Sequence, residues 1–202
     1  KKRNLLPISY NSSFLPSILK LMGYIFGDGA ISFGKYPQIQ FYGKPEDFEE
    51  IRKDILKLGF KPSRIYSRKR NHSITTFYRT YNFSTTEYCV TNGSVALSSL
   101  FVALGVPFGL KSHKPYRVPK WIFKCTLWQK RLFLAALFGA ELSKPKTLNK
   151  YNFYAPQLNM QKTEKFQESA KAFLEDIAKL LKEFGVESSR VVKVPGLSLI
   201  HI

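Results

Sequence analysis

The chain has 202 residues, of which 44% are hydrophobic and 15% aromatic, and this globular composition excludes a disordered basic tail. Its 32 Lys and Arg against 14 Asp and Glu give a formal net charge of +18, which predicts a polyanionic partner, with nucleic acid as the first candidate. No apolar stretch is long enough to predict a membrane span, and Cys89 and Cys125 lack the spacing of a zinc site or a disulfide framework. We therefore expect an intracellular protein, in the cytoplasm, the nucleoid or an organelle matrix.

The first predicted element is a helix over 18–27, directly before Asp28. Because the helix is apolar nearly all round, it must be buried on several sides. Gly23 and Gly27 are spaced four residues apart, as in helices whose backbones approach each other closely. Asp28 is the only acidic residue among the first 45 positions, and a carboxylate is disfavoured at the negative C-terminal end of a helix. An isolated acid at this position needs a functional reason.

A strand is predicted over 38–42, because polar and apolar residues alternate there. An amphipathic helix follows between Lys44 and Gly59, with acidic residues near its start and the glycine at its stop. Basic and aromatic strands are predicted over 63–70 and roughly 75–91, and a short helix over 93–104. Residues 111–128 are rich in Lys and Pro and are predicted to form a linker.

The same order of elements then recurs. A second apolar helix is predicted over 132–140, an alternating strand over 157–161 and an amphipathic helix between Lys162 and Gly185. Ala136 and Ala140 repeat the four-residue spacing of the two glycines. We therefore predict two like halves, residues 1–110 and 129–202, packed across their apolar helices.

The second apolar helix also ends in an isolated acid, since Glu141 is the only acidic residue between Glu87 and Glu164. Packing the two helices side by side would add repulsion between Asp28 and Glu141. Divalent cations between the two acids would make this arrangement favourable, and paired metals assist phosphodiester cleavage. We predict that both carboxylates, with backbone near Gly27 and Ala140, hold Mg²⁺ or Mn²⁺ against DNA.

The segments LMGYIFGDG (21–29) and LAALFGAEL (134–142) resemble the two motifs of a single-chain LAGLIDADG homing endonuclease, with the metal-binding acids at Asp28 and Glu141. VPKWI at 118–122 is similar to archaeal and intein-borne members. The resemblance implies an α+β fold of two αββαββα halves, whose two antiparallel sheets form a saddle in the DNA major groove. It also implies a monomer with internal pseudo-two-fold symmetry and no membrane partner, which makes a metal-dependent staggered cut in a long double-stranded DNA target, as in intron homing.

The resemblance further implies a basic residue after the second strand of each half, which supports the charge that develops during attack. This position matches Lys44 and Lys162, with Gln161 beside the latter, and all three are expected in the catalytic site. The alternating strands are out of phase by one residue when counted back from the lysines, which predicts a bulge at Gly43.

Two further departures concern the second half of the chain. Leu142 replaces the last motif glycine, so the exit from the second apolar helix is expected to differ. The second half is also shortened at its C-terminus: residues 197–202 are expected to form its fourth strand, without a closing helix.

The DNA interface is predicted from polar, basic and aromatic residues on the strands. Arginine suits guanine edges and glutamine suits adenine, while Lys69 and Arg79 are expected to contact phosphates. The expected DNA-binding residues are Gln38, Gln40, Tyr42, Arg64, Tyr66, Arg68, Lys69, Arg70, Arg79, Gln157, Asn159, Arg190 and Lys193.

Two alternatives stay open. An RNA-binding intron maturase on the same scaffold, or a non-catalytic DNA-binding protein such as a repressor, needs the basic surface but not the two acids. The end of the chain, Leu199-Ile200-His201-Ile202, lacks the His-Asn end of an intein, which favours a free-standing or intron-encoded enzyme.

Overall fold

The computed structural model describes residues 3–75, 78–143, 145–194 and 199–201. It is a mixed α+β fold, as predicted. The elements in chain order are α1 Leu15–Phe26, β1 Ala30–Ser32, β2 Gln38–Gly43, α2 Pro45–Lys57, β3 Tyr66–Thr75, β4 Thr80–Asn92, α3 Val95–Ala103, α4 Leu127–Glu141, β5 Lys146–Thr147, β6 Phe153–Tyr154, β7 Asn159–Gln161, α5 Gln167–Lys182, β8 Val192–Val194 and β9 Leu199–His201. Short 3-10 turns lie at Lys111–His113, Lys120–Lys124 and Glu164–Phe166. In the part of the chain just given, no helix is long and apolar enough to cross a membrane.

The two apolar helices, α1 and α4, pack directly against each other. A Cβ atom built on Gly23 would lie 2.4 Å from the carbonyl oxygen of Phe133 and 2.7 Å from the Cβ of Ala136. One built on Gly27 would lie 2.6 Å from the Cβ of Ala140. All three distances are shorter than a non-bonded contact allows, so the two glycines permit this close approach of the helices. The packing across small residues that the sequence predicts is confirmed.

The first sheet is antiparallel with the strand order β1-β2-β4-β3. Its inner face buries Ile31, Ile39, Phe41 and Val90 in the core, and α2 and α3 contact the sheet. The predicted strand over 38–42 is confirmed as β2. The next two strands were predicted over 63–70 and roughly 75–91, and both begin later, at Tyr66 and Thr80, and end at Thr75 and Asn92. They pair from Tyr66 with Cys89 to Thr75 with Thr80.

The predicted bulge at Gly43 is wrong, because β2 pairs with β4 without interruption from Ile39 to Gly43. The one-residue difference between the halves has another consequence. Side chains alternate along a strand, so Lys44, three residues after the inward Phe41, turns outward. Lys162, two residues after the half-buried Met160, turns inward and is 1% exposed.

The second half repeats the topology with shorter strands. Its three-stranded sheet has the order β7-β9-β8, which corresponds to β2-β4-β3 in the first half. An isolated bridge between Leu142 and Leu158 extends this sheet, and β5 and β6 form a separate hairpin. Within the predicted strand 197–202, residues 199–201 form β9, while 197, 198 and 202 lie outside the described residues.

The predicted difference in the helix exits is also confirmed. Leu142 leaves α4 in an extended conformation and enters its bridge with Leu158, so Glu141 is the last residue of the helix. In the first half α1 ends earlier, at Phe26, and Gly29 donates its N–H to the carbonyl of Tyr24. A Cβ on Gly29 would lie 2.6 Å from the Cα of Ile25, a clash that explains why glycine stands here.

Candidate functional site

Asp28 and Glu141 meet where α1 and α4 end side by side. Gly27 contacts Ala140, and a Cβ on Gly27 would lie 3.1 Å from the Cγ of Glu141. The Glu141 side chain therefore lies against the residue that precedes Asp28. Burial raises the pKa of Glu141, and the negative charge of Asp28 raises it further. The Asp28 carboxylate is close enough to oppose the ionisation of Glu141.

A lysine that sequence reasoning assigned to the linker lies at the same place. The Lys111 ammonium donates hydrogen bonds to the carbonyl oxygens of Ile25 at 3.0 Å and Phe26 at 3.1 Å, and to that of Gly27. These are carbonyls at the end of α1, which a lysine can satisfy while it opposes the negative end of the helix dipole. Burial lowers the pKa of Lys111 to about 8, although the charges of Glu141 and Asp28 act in the opposite direction.

Asp28 responds to the same surroundings. Desolvation raises the pKa of the Asp28 carboxyl above its ordinary value, and the positive charge of Lys111 opposes the rise. Lys111 therefore compensates only part of the cost of holding two carboxylates at these helix ends. The pKa values of both carboxyl groups stay raised in spite of Lys111, so a further positive charge would stabilise their ionised forms.

Two cavities adjoin this site, one in each half. The first, of about 570 Å³, is lined by Asp28, Lys44 and Tyr42 together with residues from α1, α2 and α4. The second, of about 440 Å³, is lined by Glu141, Gln161 and Lys111, among others. Lys44 and Asp28 thus line one cavity, and Gln161 and Glu141 line the other.

Lys162 does not occupy the position in the second half that Lys44 occupies in the first. Its ammonium donates a hydrogen bond to the carbonyl of Lys111 at 2.6 Å and another to the carbonyl of Lys114. It also lies 3.7 Å from the ring centroid of Tyr116, and burial and the charge of Lys111 lower its pKa to about 8. Lys162 therefore holds the backbone of the segment that carries Lys111, whereas Lys44 is exposed to solvent.

The donor set suits a hard divalent cation. Two carboxylates and the Gly27 carbonyl supply oxygen, the ligand type that Mg²⁺ and Mn²⁺ prefer, and the Lys111 ammonium already lies on that carbonyl. In the described ranges no group of three or more His, Cys, Asp and Glu side chains is placed to hold a metal. Water and substrate oxygens would have to complete the coordination shell, which is usual for Mg²⁺ at phosphate sites.

The outer face of the first sheet carries the predicted DNA-binding residues. Register places Gln40, Tyr42, Arg68 and Arg70 on the face opposite the buried Phe41. The Tyr42 hydroxyl donates to the side-chain oxygen of Gln40 at 2.9 Å, and the Arg68 guanidinium lies 6.0 Å from the Tyr42 ring centroid. These side chains form one connected polar surface.

Sequence reasoning missed Glu87 on that face. Its carboxylate accepts a hydrogen bond from Arg68 and lies 3.5 Å from the guanidinium of Arg70. Register alone shows the relationship, because Glu87 pairs directly with Arg68 across the β3–β4 hairpin. The hairpin register was the signal that could have found it.

The other predicted interface residues lie around this face or on the second half. Arg64 precedes β3 and lies 5.1 Å from the Tyr66 ring, while Arg79 lies 4.3 Å from the Tyr81 ring. Lys69 is exposed on the opposite face of β3. Gln38 is half-buried on β2, and the exposed candidates of the second half are Gln157, Asn159, Arg190 and Lys193.

Comparison with solved structures finds the same fold in a DNA complex, the homing endonuclease I-WcaI bound to its DNA recognition sequence. The TM-score is 0.51 at 16% sequence identity, and the match covers 100% of this chain and 87% of the other. No family model matches the chain.

Three relatives by sequence come from one organism, Methanocaldococcus jannaschii, and have unrelated names. The tRNA-splicing ligase RtcB is 39% identical over 196 residues, the replication factor C small subunit 32% over 196, and the DNA-directed RNA polymerase subunit Rpo1N 30% over 197. Each match covers 93–96% of this chain. The chain spans only 20%, 10% and 14% of these relatives, respectively.

Proposed function

We propose that this chain is a site-specific DNA endonuclease of the homing type, which cuts both strands of a double-stranded target with Mg²⁺ or Mn²⁺. The observation that carries the proposal is the meeting of Asp28 and Glu141 at the paired ends of α1 and α4. Two desolvated carboxylates at paired helix C-termini, one of which opposes the ionisation of the other, are expected where a cation is needed. One chain supplies both acids, so the proposed enzyme acts as a monomer with two pseudo-symmetric halves.

The proposed roles follow the two cavities. Asp28, Glu141 and backbone oxygens near Gly27 and Ala140 would hold the metal, which when bound activates water and stabilises a leaving oxygen. Lys44 would place positive charge at a phosphate in the first cavity. Lys111 would do so in the second cavity, beside Gln161, while Lys162 fixes the Lys111 backbone.

The proposed DNA interface begins at the outer face of the first sheet. Arginine and glutamine side chains there suit base edges in the major groove, and the net charge of +18 suits the phosphate backbone. Binding should weaken steeply as salt rises, since each neutralised phosphate releases counterions.

The relatives argue against assigning any of their printed activities to this chain. A ligase, a polymerase subunit and a replication factor subunit share it over at most a fifth of their lengths. A segment that recurs in proteins with unrelated names supports a mobile module carried inside different hosts. On this view the DNA target is a host gene at the junction where the segment is lacking.

The proposal is tested by cleavage of defined and random DNA. The purified chain is incubated with Mg²⁺ and either a random duplex library or duplexes that span the host-gene junctions with the shared segment removed. A discrete double-strand cut is expected, and Asp28→Asn should abolish cutting while leaving binding nearly intact. Binding without any cut by the wild type would point to a repressor-like protein, and preference for structured intron RNA over duplex DNA would point to a maturase.

A further inference from the structure

The Lys111 ammonium lies on a backbone oxygen that the proposed metal would need as a ligand, the carbonyl of Gly27. It donates to the carbonyls of Ile25, Phe26 and Gly27 and interacts electrostatically with both Asp28 and Glu141. One oxygen of the proposed cation site, the Gly27 carbonyl, is therefore already bound by a cation that belongs to the protein.

The backbone around Lys111 is held in place from the second half. Lys162 donates to the carbonyls of Lys111 and Lys114, and the N–H of Thr163 donates to the carbonyl of Ser112 at 3.1 Å. These contacts tie the turn at 111–114 to the start of the second amphipathic segment. The turn is thereby fixed, while the Lys111 side chain keeps the four rotatable bonds that allow its ammonium to move.

We propose that Lys111 is a displaceable internal cation, which fills the metal position in the metal-free protein and leaves it when a divalent ion binds. This inference rests on the proposed function. Sharing the Gly27 carbonyl would bring an ammonium and a divalent ion close together, where their like charges repel strongly. The metal-free protein is thus stable, and metal binds at the expense of the lysine contacts.

The proposal also links metal binding to DNA. Lys111 and Glu141 line the same cavity, so a displaced ammonium stays within the second half's proposed catalytic pocket. A DNA phosphate there would be the natural partner of the released charge. By linkage, duplex DNA should then raise the affinity for metal by the same factor by which metal raises the affinity for DNA.

The test compares metal binding and stability of the full chain with those of Lys111→Met. Mn²⁺ binding is measured by isothermal titration calorimetry, and the melting temperature is measured in EDTA. Lys111→Met should melt at a lower temperature than wild type without metal, because the α1 carbonyls lose their partner. It should bind Mn²⁺ about tenfold more tightly or better, because the competing charge is gone.

Lys114→Met is the matched control, because Lys114 is a lysine on the same turn as Lys111. Its ammonium lies 3.6 Å from the centroid of the Phe108 ring and makes no hydrogen bond with the described carbonyls at the end of α1. It should bind Mn²⁺ as wild type does.

Equal or weaker Mn²⁺ binding by Lys111→Met, with wild type binding normally, overturns the displaceable cation and leaves the nuclease proposal standing. Tighter Mn²⁺ binding by Lys111→Met, when wild type cuts no DNA, supports the displaceable cation and refutes the nuclease. If neither protein binds Mn²⁺, both proposals fail.

Discussion

The ammonium of Lys162 donates a hydrogen bond of 2.6 Å to the carbonyl of Lys111, the residue whose own ammonium lies at the end of α1. One lysine thus positions another, and the inward turn of Lys162 follows from the phase of β7. The cost of burying its charge is visible in its pKa, which burial and the nearby Lys111 lower to about 8.

The lowered pKa of Lys162 predicts an unusual pH dependence of stability. Its pKa is about 8 in the folded protein against an ordinary value of 10.5, so the unfolded chain binds the proton more tightly between these values. Stability must then rise with pH across that window, by about 2 kcal/mol from pH 7 to pH 10 for this group. Lys162→Met lacks the gain, so urea unfolding should show its stability relative to wild type falling as pH rises.

Comparing the two proteins isolates the contribution of Lys162 together with its coupling to Lys111, which both proteins retain. Lys44→Met serves as the control, because it removes an exposed lysine ammonium and leaves the buried Lys162 in place. If the free energy of unfolding of Lys162→Met changes with pH in parallel with that of wild type, burying the charged ammonium has no cost, contrary to the prediction.

A second prediction concerns the two acids in the absence of metal. Desolvation raises the pKa of Asp28 and of Glu141, so the folded state binds these protons more readily than the unfolded state. The stability from this difference is present below the ordinary pKa and is lost as pH rises through the raised value. Asp28→Asn and Glu141→Gln should therefore each raise the melting temperature in EDTA at pH 7, by a few degrees.

The gain should disappear near pH 3, where the carboxyl groups are protonated in both states. Glu50→Gln is the control with a pKa shift of opposite sign, since a hydrogen bond from Lys53 lowers the pKa of Glu50. This substitution should not raise the melting temperature at pH 7. A melting temperature at pH 7 that falls in both site variants would show that the acids support the metal-free fold.

The paired acids and the close packing of α1 against α4 (the helix seam) were predictable, because each has a local pattern in the sequence. Asp28 and Glu141 are isolated acids after apolar runs, and the small residues recur at one spacing. The role of Lys111 was not predictable, because one lysine among many in a basic segment differs only in where the fold brings it. The inward turn of Lys162 could be read from the strand phase, because the difference in phase reflects this turn and not a bulge at Gly43.

The seam itself gives a third prediction, with a control on the partner helix. Alanine normally stabilises a helix relative to glycine by about 1 kcal/mol. At Gly23 the new Cβ would meet backbone at 2.4 Å and the Ala136 Cβ at 2.7 Å, so Gly23→Ala should destabilise by about 1–3 kcal/mol. Gly139 in α4 has no atom within 4 Å of its Cβ position, and Gly139→Ala should stabilise. Equal effects of the two changes in urea unfolding would contradict the close packing.

The last prediction concerns Glu87 on the outer face of the first sheet. Its carboxylate neutralises part of the charge of Arg68 and Arg70 and would face the phosphates of bound DNA. Glu87→Gln removes one negative charge and frees both guanidinium groups, so affinity for random duplex DNA should rise by about threefold. Discrimination between a target and random sequence should fall, because the arginines lose the partner that holds them in one orientation.

Fluorescence anisotropy with a labelled random duplex at several salt concentrations measures both effects for Glu87→Gln. Glu50→Gln makes the same charge change on α2, on the other side of the sheet, and separates a local effect from net charge. If the two variants gain affinity equally, net charge alone accounts for the change and Glu87 has no special place on the interface. If Glu87→Gln binds random DNA more weakly than wild type, holding the arginines in place outweighs the repulsion between its carboxylate and phosphate.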